Sequence, residues 1–186
     1  MAERCFADKI ATRNLKMNLE NCKLVEISAE LKDDFCELAA EGSAAKETPY
    51  INWDGDFEDY LGRMQTLSIG ENLPEGAVSS HTYFLFFGER IIGRTEIRRD
   101  LNAEFEIYGH ISADICISER KKGFGTVISI LSLQKAKELG LEKILLTCRI
   151  DNAASAKIIE NRGGVFEKQI FHEETGETFF RYWIEL

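Results

Sequence analysis

Apolar positions along the chain follow two spacings, alternate residues in some stretches and every third or fourth in others. The points where one spacing gives way to the other mark out the elements. CKLVEIS at 22–28 alternates as a strand does. Leu31, Phe35 and Leu38 then share one helical face, with Ser28 as the start signal and Gly42 as the stop. A second helix is expected from Asp54 to about Leu67, where Phe57, Tyr60, Leu61 and Met64 fall on one side; Gly70, Pro74 and Gly76 mark a loop after it. In HTYFLFFGERIIGRTEIRR at 81–99, two runs of aromatic and β-branched residues flank Gly88-Glu89, a hairpin signal. FEIYGHISADICIS at 105–118 reads as a further strand. GFGTVISILSLQKAKELG at 123–140 reads as a helix with Val127, Ile130, Leu131, Leu133, Ala136 and Leu139 on a broad apolar face. KILLTCRI at 143–150 is a nearly continuous apolar run, as in a strand covered on both faces. DNAASAKIIENRGG gives a short helix opening at Asp151 or Asn152, and VFEKQIF and ETFFRYWIEL close the chain as a hairpin around Glu174-Thr175-Gly176.

The order β-α-α-β-β-β-α-β-α-β-β implies one α/β domain with a mixed sheet. The helix at 123 is expected to join two parallel strands by a right-handed crossover. Residues 1–16 lack periodicity and read as an N-terminal arm, leaving 17–186 as the domain. A chain of 186 residues, 44% apolar, has enough for one filled core and too little for two.

Charge narrows the function. The net charge of −9 is concentrated between Glu26 and Glu75, where thirteen acids face three basic residues, so the rest of the chain is close to neutral. A nucleic-acid binder would show the opposite sign and a basic stripe. There is no apolar run of about 18 residues and no leader with an apolar core, so neither a membrane partner nor a secretory route is indicated and a cytoplasmic location is expected. Five cysteines at wide spacings suit neither a disulfide framework nor a metal site. Cys116 and Cys148 lie in apolar runs and read as small buried hydrophobes, with a nucleophilic role as the alternative.

Against this acidic background, SERKKGFGT at 118–126 gathers Arg120, Lys121 and Lys122 in front of Gly123, Phe124 and Gly125, where a helix begins. A helix N-terminus offers unpaired N–H groups and about half a positive charge, and glycines let a bulky anion reach the backbone. A diphosphate cradle is one reading; a glycine pair that merely ends a strand is the other. The triphosphate loop GxxxxGK[ST] fails, because Gly125 is followed by Thr-Val-Ile. The dinucleotide fingerprint fails at Ile128, where it needs a third glycine.

The strand followed by Arg-x-x-Gly-x-Gly and a helix resembles the acyl-CoA-binding motif of the GNAT superfamily of N-acetyltransferases. Downstream, Asn152, Ser155 and Gly163-Gly164 fall where that superfamily carries an Asn, a small residue and a helix end. The resemblance covers the chain from about residue 18 onward. It implies a single GNAT-like domain, a mixed central sheet with helices on both faces and strands splayed at the acyl-CoA site. It implies acetyl-CoA as co-substrate, without a metal. Arg120 and the backbone of Lys121, Lys122, Gly123, Phe124, Gly125 and Thr126 would hold the pyrophosphate. Ile115 and Ile117 would pair with the pantetheine arm as an added strand does, Asn152 and Ser155 would flank it, and an N–H near Ile115 would polarise the thioester carbonyl. One position departs: Ile159 stands where the superfamily often has a Tyr that protonates the leaving thiolate, and Tyr182 is the remote substitute.

An amine acceptor must lose a proton to attack. The strand ahead of the turn is expected to supply the base, with His110 first for its near-neutral pKa, then Glu106 and Asp114. Each of these also reads as an ordinary strand residue. The alternation of Trp53, Asp54, Asp56, Phe57, Glu58 and Asp59 suits a cationic acceptor, either a small molecule or a peptide. Protein N-terminal α-amines and a catalytically inactive acyl-CoA-binding module are the other readings, and a homodimer is compatible with each.

Overall fold

The computed structural model describes residues 15–44 and 55–186. Strand β1 (Cys22–Glu26), β2 (Ser80–Phe87), β3 (Arg90–Arg98) and β4 (Ile111–Ile115) form one antiparallel sheet in that order. β5 (Lys143–Arg149), β7 (Glu177–Glu185) and β6 (Val165–His172) form a second, with β7 in the centre. Helix α1 covers residues 15–21. It is followed by α2 (Lys32–Ala44), α3 (Phe57–Ile69), a four-residue α4 (Phe105–Tyr108), α5 (Phe124–Glu138) and α6 (Ala153–Asn161). The element order is the expected one, with α1 and α4 added.

Period-two alternation in β2 divides the core. Phe84 and Phe86 point to the side of α2 and α3, where Phe35, fully buried, meets the rings of Phe57, Tyr60 and Phe84. Leu85 points the other way and packs with Ile92, Ile115, Phe124, Val127 and Ile128 under α5, joined by Leu15 and Leu19 of α1. A third cluster, including Ala136, Ile144, Leu146, Cys148 and Ile159, joins α5 and α6 to the second sheet. Helix α5 therefore lies on one face of the first sheet and, with α6, bridges it to the second. The α/β architecture with helices on both faces holds.

Three local differences have identifiable causes. The helix expected to stop at Gly42 runs on to Ala44. Residues 105–108, expected as strand, form α4 because Asn102 Oδ1 accepts from the Phe105 N–H at 3.0 Å and its carbonyl accepts from the Glu106 N–H at 2.9 Å. The helix beginning after Asp54 starts at Phe57, since Asp56 caps it by accepting from the N–H groups of Glu58 and Asp59.

β4 and β5, the strands flanking the α5 crossover, lie side by side without forming a ladder; the mixed sheet is thus split into two antiparallel ones. They meet at a single seam. The His110 N–H donates to the Leu145 carbonyl at 2.8 Å, the Leu145 N–H donates to His110 Nδ1 at 2.9 Å, and Gly109 bridges to Leu146. Both strands then lead away from the seam toward the same end. The end of β4 continues into the start of α5 and the end of β5 into α6, and Ile158 of α6 lies against Gly125.

Gly109 has φ +76°, and a Cβ there would stand 2.6 Å from the Leu145 carbonyl oxygen. Gly109→Ala should therefore lower unfolding free energy by about 2 kcal/mol or more, from strain and from the displaced seam. Denaturant titration checks this, and a loss below about 0.5 kcal/mol would show that the seam adapts.

Candidate active site

The gap between β4 and β5 is a pocket of about 150 Å³, lined by β4 (Ile111, Ala113, Ile115), β5 (Leu146, Thr147), α5 from Gly125 to Leu133, and α6 (Ser155, Ile158, Ile159). Its β4 wall offers main-chain groups as well as side chains. The Cys116 N–H donates back to Ile92 of β3, and the His110 carbonyl accepts from Arg98 of β3. Even-numbered residues of β4 are thus turned to the sheet, and the N–H groups of Ala113 and Ile115 face the gap.

At the open end lies the glycine turn. Gly123 caps α5 with φ +92°, and Lys121 before it also has a positive φ, +62°. The N–H groups of Phe124 and Gly125 open the helix, where no intrahelical partner exists for them. Arg120 folds back so that its Nε–H donates to the Ile115 carbonyl at 3.0 Å, tying the turn to the end of β4. Asn18 of α1, buried, donates to the Lys122 carbonyl at 3.2 Å and supports the turn from below. Nothing in the sequence pattern distinguished Asn18; only the fold brings it here. Glu41 of α2 accepts from the Ser118 N–H and hydroxyl and from Arg90, and Arg90 also pairs with Glu119, which holds Lys122. The acidic helix is thereby fastened to the basic turn.

No family model matches this chain, and no curated protein matches it either. Solved structures do. An acetyltransferase from Salmonella typhimurium that modifies the N-terminal serine of ribosomal protein L7/L12 superposes with a TM-score of 0.64 at 13% identity, over 89% of this chain and 95% of that one. The microcin C7 self-immunity acetyltransferase, solved with acetyl-CoA and AMP, gives 0.65 at 13% identity, over 89% and 93%. A GNAT-family acetyltransferase from Streptococcus pneumoniae gives 0.58 at 18% identity, over 89% and 99%. The chain has the GNAT fold.

Within the GNAT fold, Ile115, Gly125 and Ser155 come together as pocket lining, and Arg120 to Thr126 as its mouth. Ile117 does not continue the extended wall. It starts a 3-10 turn, and its carbonyl accepts from the Arg120 N–H, so Ala113 takes its place as the second backbone group facing the gap. Asn152 Oδ1 caps α6 by accepting from the Ser155 N–H at 3.0 Å, which leaves its NH₂ as the group it can offer an arm. Ile159 lines the pocket with no polar atom. Tyr182 lies instead in a separate groove with Phe166 and Phe180, its hydroxyl donating to Glu160 at 3.3 Å, so it is no substitute acid. Burial pushes the thiols of Cys116 and Cys148 up to about 11, which removes both as nucleophiles at neutral pH.

The expected bases also move. Glu106 sits on α4, exposed, with its carboxylate 3.7 Å from Arg181. Asp114 is on the sheet-paired register of β4, opposite Arg94 and away from the pocket lining. His110 is buried, and its Nδ1 is occupied by the Leu145 N–H, so the neutral ring carries its proton on Nε2. Burial holds this imidazole below the usual histidine range, and the nearby Arg98 guanidinium acts in the same direction. The lone pair that could accept a proton is thus the one on Nδ1, so to act as a base the ring would have to release the seam. Phe57 is core rather than acceptor wall, Asp56 is a helix cap, and Trp53 and Asp54 lie outside the described residues.

Because the folded pKa of His110 lies below its unfolded value near 6.5, its contribution to stability is complete above about pH 6.5 and is lost as pH falls below it. His110→Asn, whose amide oxygen can take the Leu145 N–H, should show a smaller loss of melting temperature between pH 7 and pH 5 than the parent. His110→Ala should lose about 1–3 kcal/mol at pH 7 by orphaning that N–H. Equal pH slopes in parent and His110→Asn would disprove this role.

Proposed function

We propose that the protein is an acetyl-CoA-dependent N-acetyltransferase acting on a primary amine. The observation that carries the reading is the continuity of the site: a glycine helix start flanked by cations opens directly into a gap toward which the β4 edge turns the backbone of Ala113 and Ile115. These residues fit acyl-CoA. The turn at 120–126 would hold the diphosphate, the β4 edge the amides of the arm, and Ala113 or Ile115 N–H the thioester oxygen as it gains charge. The amine nitrogen attacks the thioester carbon, a C–N bond forms, the C–S bond breaks, and the thiolate takes up a proton while the amine gives one up.

Among the described residues, none that lines the pocket is titratable, so we assign the amine proton to water and attack to the fraction of acceptor that is already neutral. An α-amine, with a pKa of about 7.7–8.0, supplies that fraction far more readily than a lysine-like amine at about 10.4. This favours an α-amine or a similarly weakly basic one as acceptor. A docking charge on the same acceptor agrees with the acidic helices, where Asp33, Glu37 and Asp59 are exposed. Glu41 and Glu58 are instead engaged with Ser118 and Arg90 and with Lys32.

If acetyl-CoA binds with a dissociation constant near 10 μM, a 1 mM dose should stabilise the apo protein by about 2.7 kcal/mol, a melting shift of roughly 5–11 °C. Gly125→Glu, which sets a carboxylate in the cradle, should abolish the shift; an unmutated protein that shows none would refute the reading. With acceptors of different amine pKa, the rise of kcat/KM with pH should move with the acceptor. A midpoint that stays fixed across acceptors would mean that a protein group takes the proton.

A further inference from the structure

The gap is longer than an acetyl group requires. From Ile115 to Ile111 the β4 wall runs four residue steps, about 13 Å, and from Gly125 to Leu133 the α5 wall runs eight, about 12 Å. The mouth is at the glycine turn and the closed end is at the seam, where Ile111, Leu133, Leu146 and Ile159 converge. Of the two N–H groups that could hold the thioester oxygen, Ala113 is the inner one. Even from there, two strand residues, about 6–7 Å, remain before Ile111. An acetyl methyl reaches only one C–C bond, about 1.5 Å, beyond its carbonyl.

The chemistry of that inner end is uniform. Its four converging side chains are aliphatic, and none of the described residues that line the pocket is charged. Ser132, fully buried, is the polar residue at this depth, and its hydroxyl donates to Thr95 Oγ1 at 2.9 Å, which in turn donates to the Ser112 carbonyl at 3.2 Å. Ser132 thus has its proton already placed. An anionic acyl group would find no cation here and would lose its hydration, whereas a hydrocarbon chain would lose only contact with water.

We propose that the inner end of the gap is an acyl-chain pocket, and that the donor range extends to short uncharged acyl groups longer than acetyl, propionyl and butyryl among them. This rests on the acyl-CoA reading above. The reaction balances as before, because chain length alters neither the bond formed to nitrogen, the bond broken to sulfur, nor the proton that passes from amine to thiol. Leu133 and Ile159 set the limit on length.

Dissociation constants for CoA, acetyl-, propionyl-, butyryl- and succinyl-CoA, measured by titration calorimetry on the apo protein, test the proposal. Affinity should rise about fourfold per methylene from acetyl to butyryl, and succinyl-CoA should bind no more tightly than CoA itself. In Leu133→Phe and in Ile159→Phe the gain from acetyl to butyryl should vanish, with CoA measured in each variant as its own reference. If acetyl-CoA binds and the longer chains bind more weakly, the pocket is refuted while the acetyltransferase reading stands. If no CoA species binds the parent protein, both fall.

Discussion

The two sheets are held together at their closest approach by the contact of Gly109 and His110 with Leu145 and Leu146, and the geometry of the site follows from it. One backbone hydrogen bond, one imidazole nitrogen and one bridge take the place of a ladder. Because pairing is confined to that point, β4 and β5 diverge beyond it, and backbone groups that a sheet would consume remain directed into the gap. Edge strands with unsatisfied groups are ordinarily a hazard. Here the edges face each other across a pocket roofed by α5 and α6, so they are sheltered although they do not pair with each other.

The seam also accounts for two residue types that would otherwise look unrelated. Glycine is required at 109 because both the positive φ and the 2.6 Å approach to Leu145 exclude a side chain. Histidine suits 110 because a neutral ring offers an acceptor to an N–H that has no carbonyl opposite it. The second anchor is at the other end of β4, where Arg120 returns to the Ile115 carbonyl and fixes the turn relative to the strand. Between these two anchors, Ala113 and Ile115 are held at a set distance from the N-terminus of α5. Preorganisation of this kind makes donors effective toward developing charge, since they need not reorient as it appears.

The architecture was readable from periodicity because every core-forming element has a clear apolar face: β2 alternates, α5 carries a broad stripe, and β5 is apolar from Ile144 to Leu146. The glycine turn at the open end of the pocket was readable too, since glycine and cation clusters at a strand–helix junction are local signals. What escaped was what depends on one specific hydrogen-bond partner, local or distant, rather than on periodicity. The spacing of residues 105–108 suits a strand, and it is one amide, Asn102, that turns them into helix. His110 has the pKa of a base in isolation, but its partner is a backbone group thirty-five positions away. Asp56 looked like part of a recognition surface because alternating acids and aromatics do not reveal a helix cap, whereas the spacing of Phe57 with Tyr60 and Leu61 already set that ring on the core side.

Asn18 adds a constraint of a different kind. Its hydrogen bond to Lys122 closes a loop spanning 104 residues, so the turn gains this support only after the two halves of the chain have met. Contacts of such long range form slowly, because the loop entropy is lost before the contact returns any energy. During synthesis α1 emerges first and has no Lys122 carbonyl to hold until more than half of the chain has followed. The glycine turn is therefore among the last parts of the molecule to gain its full support, after the collapse of the core rather than with it.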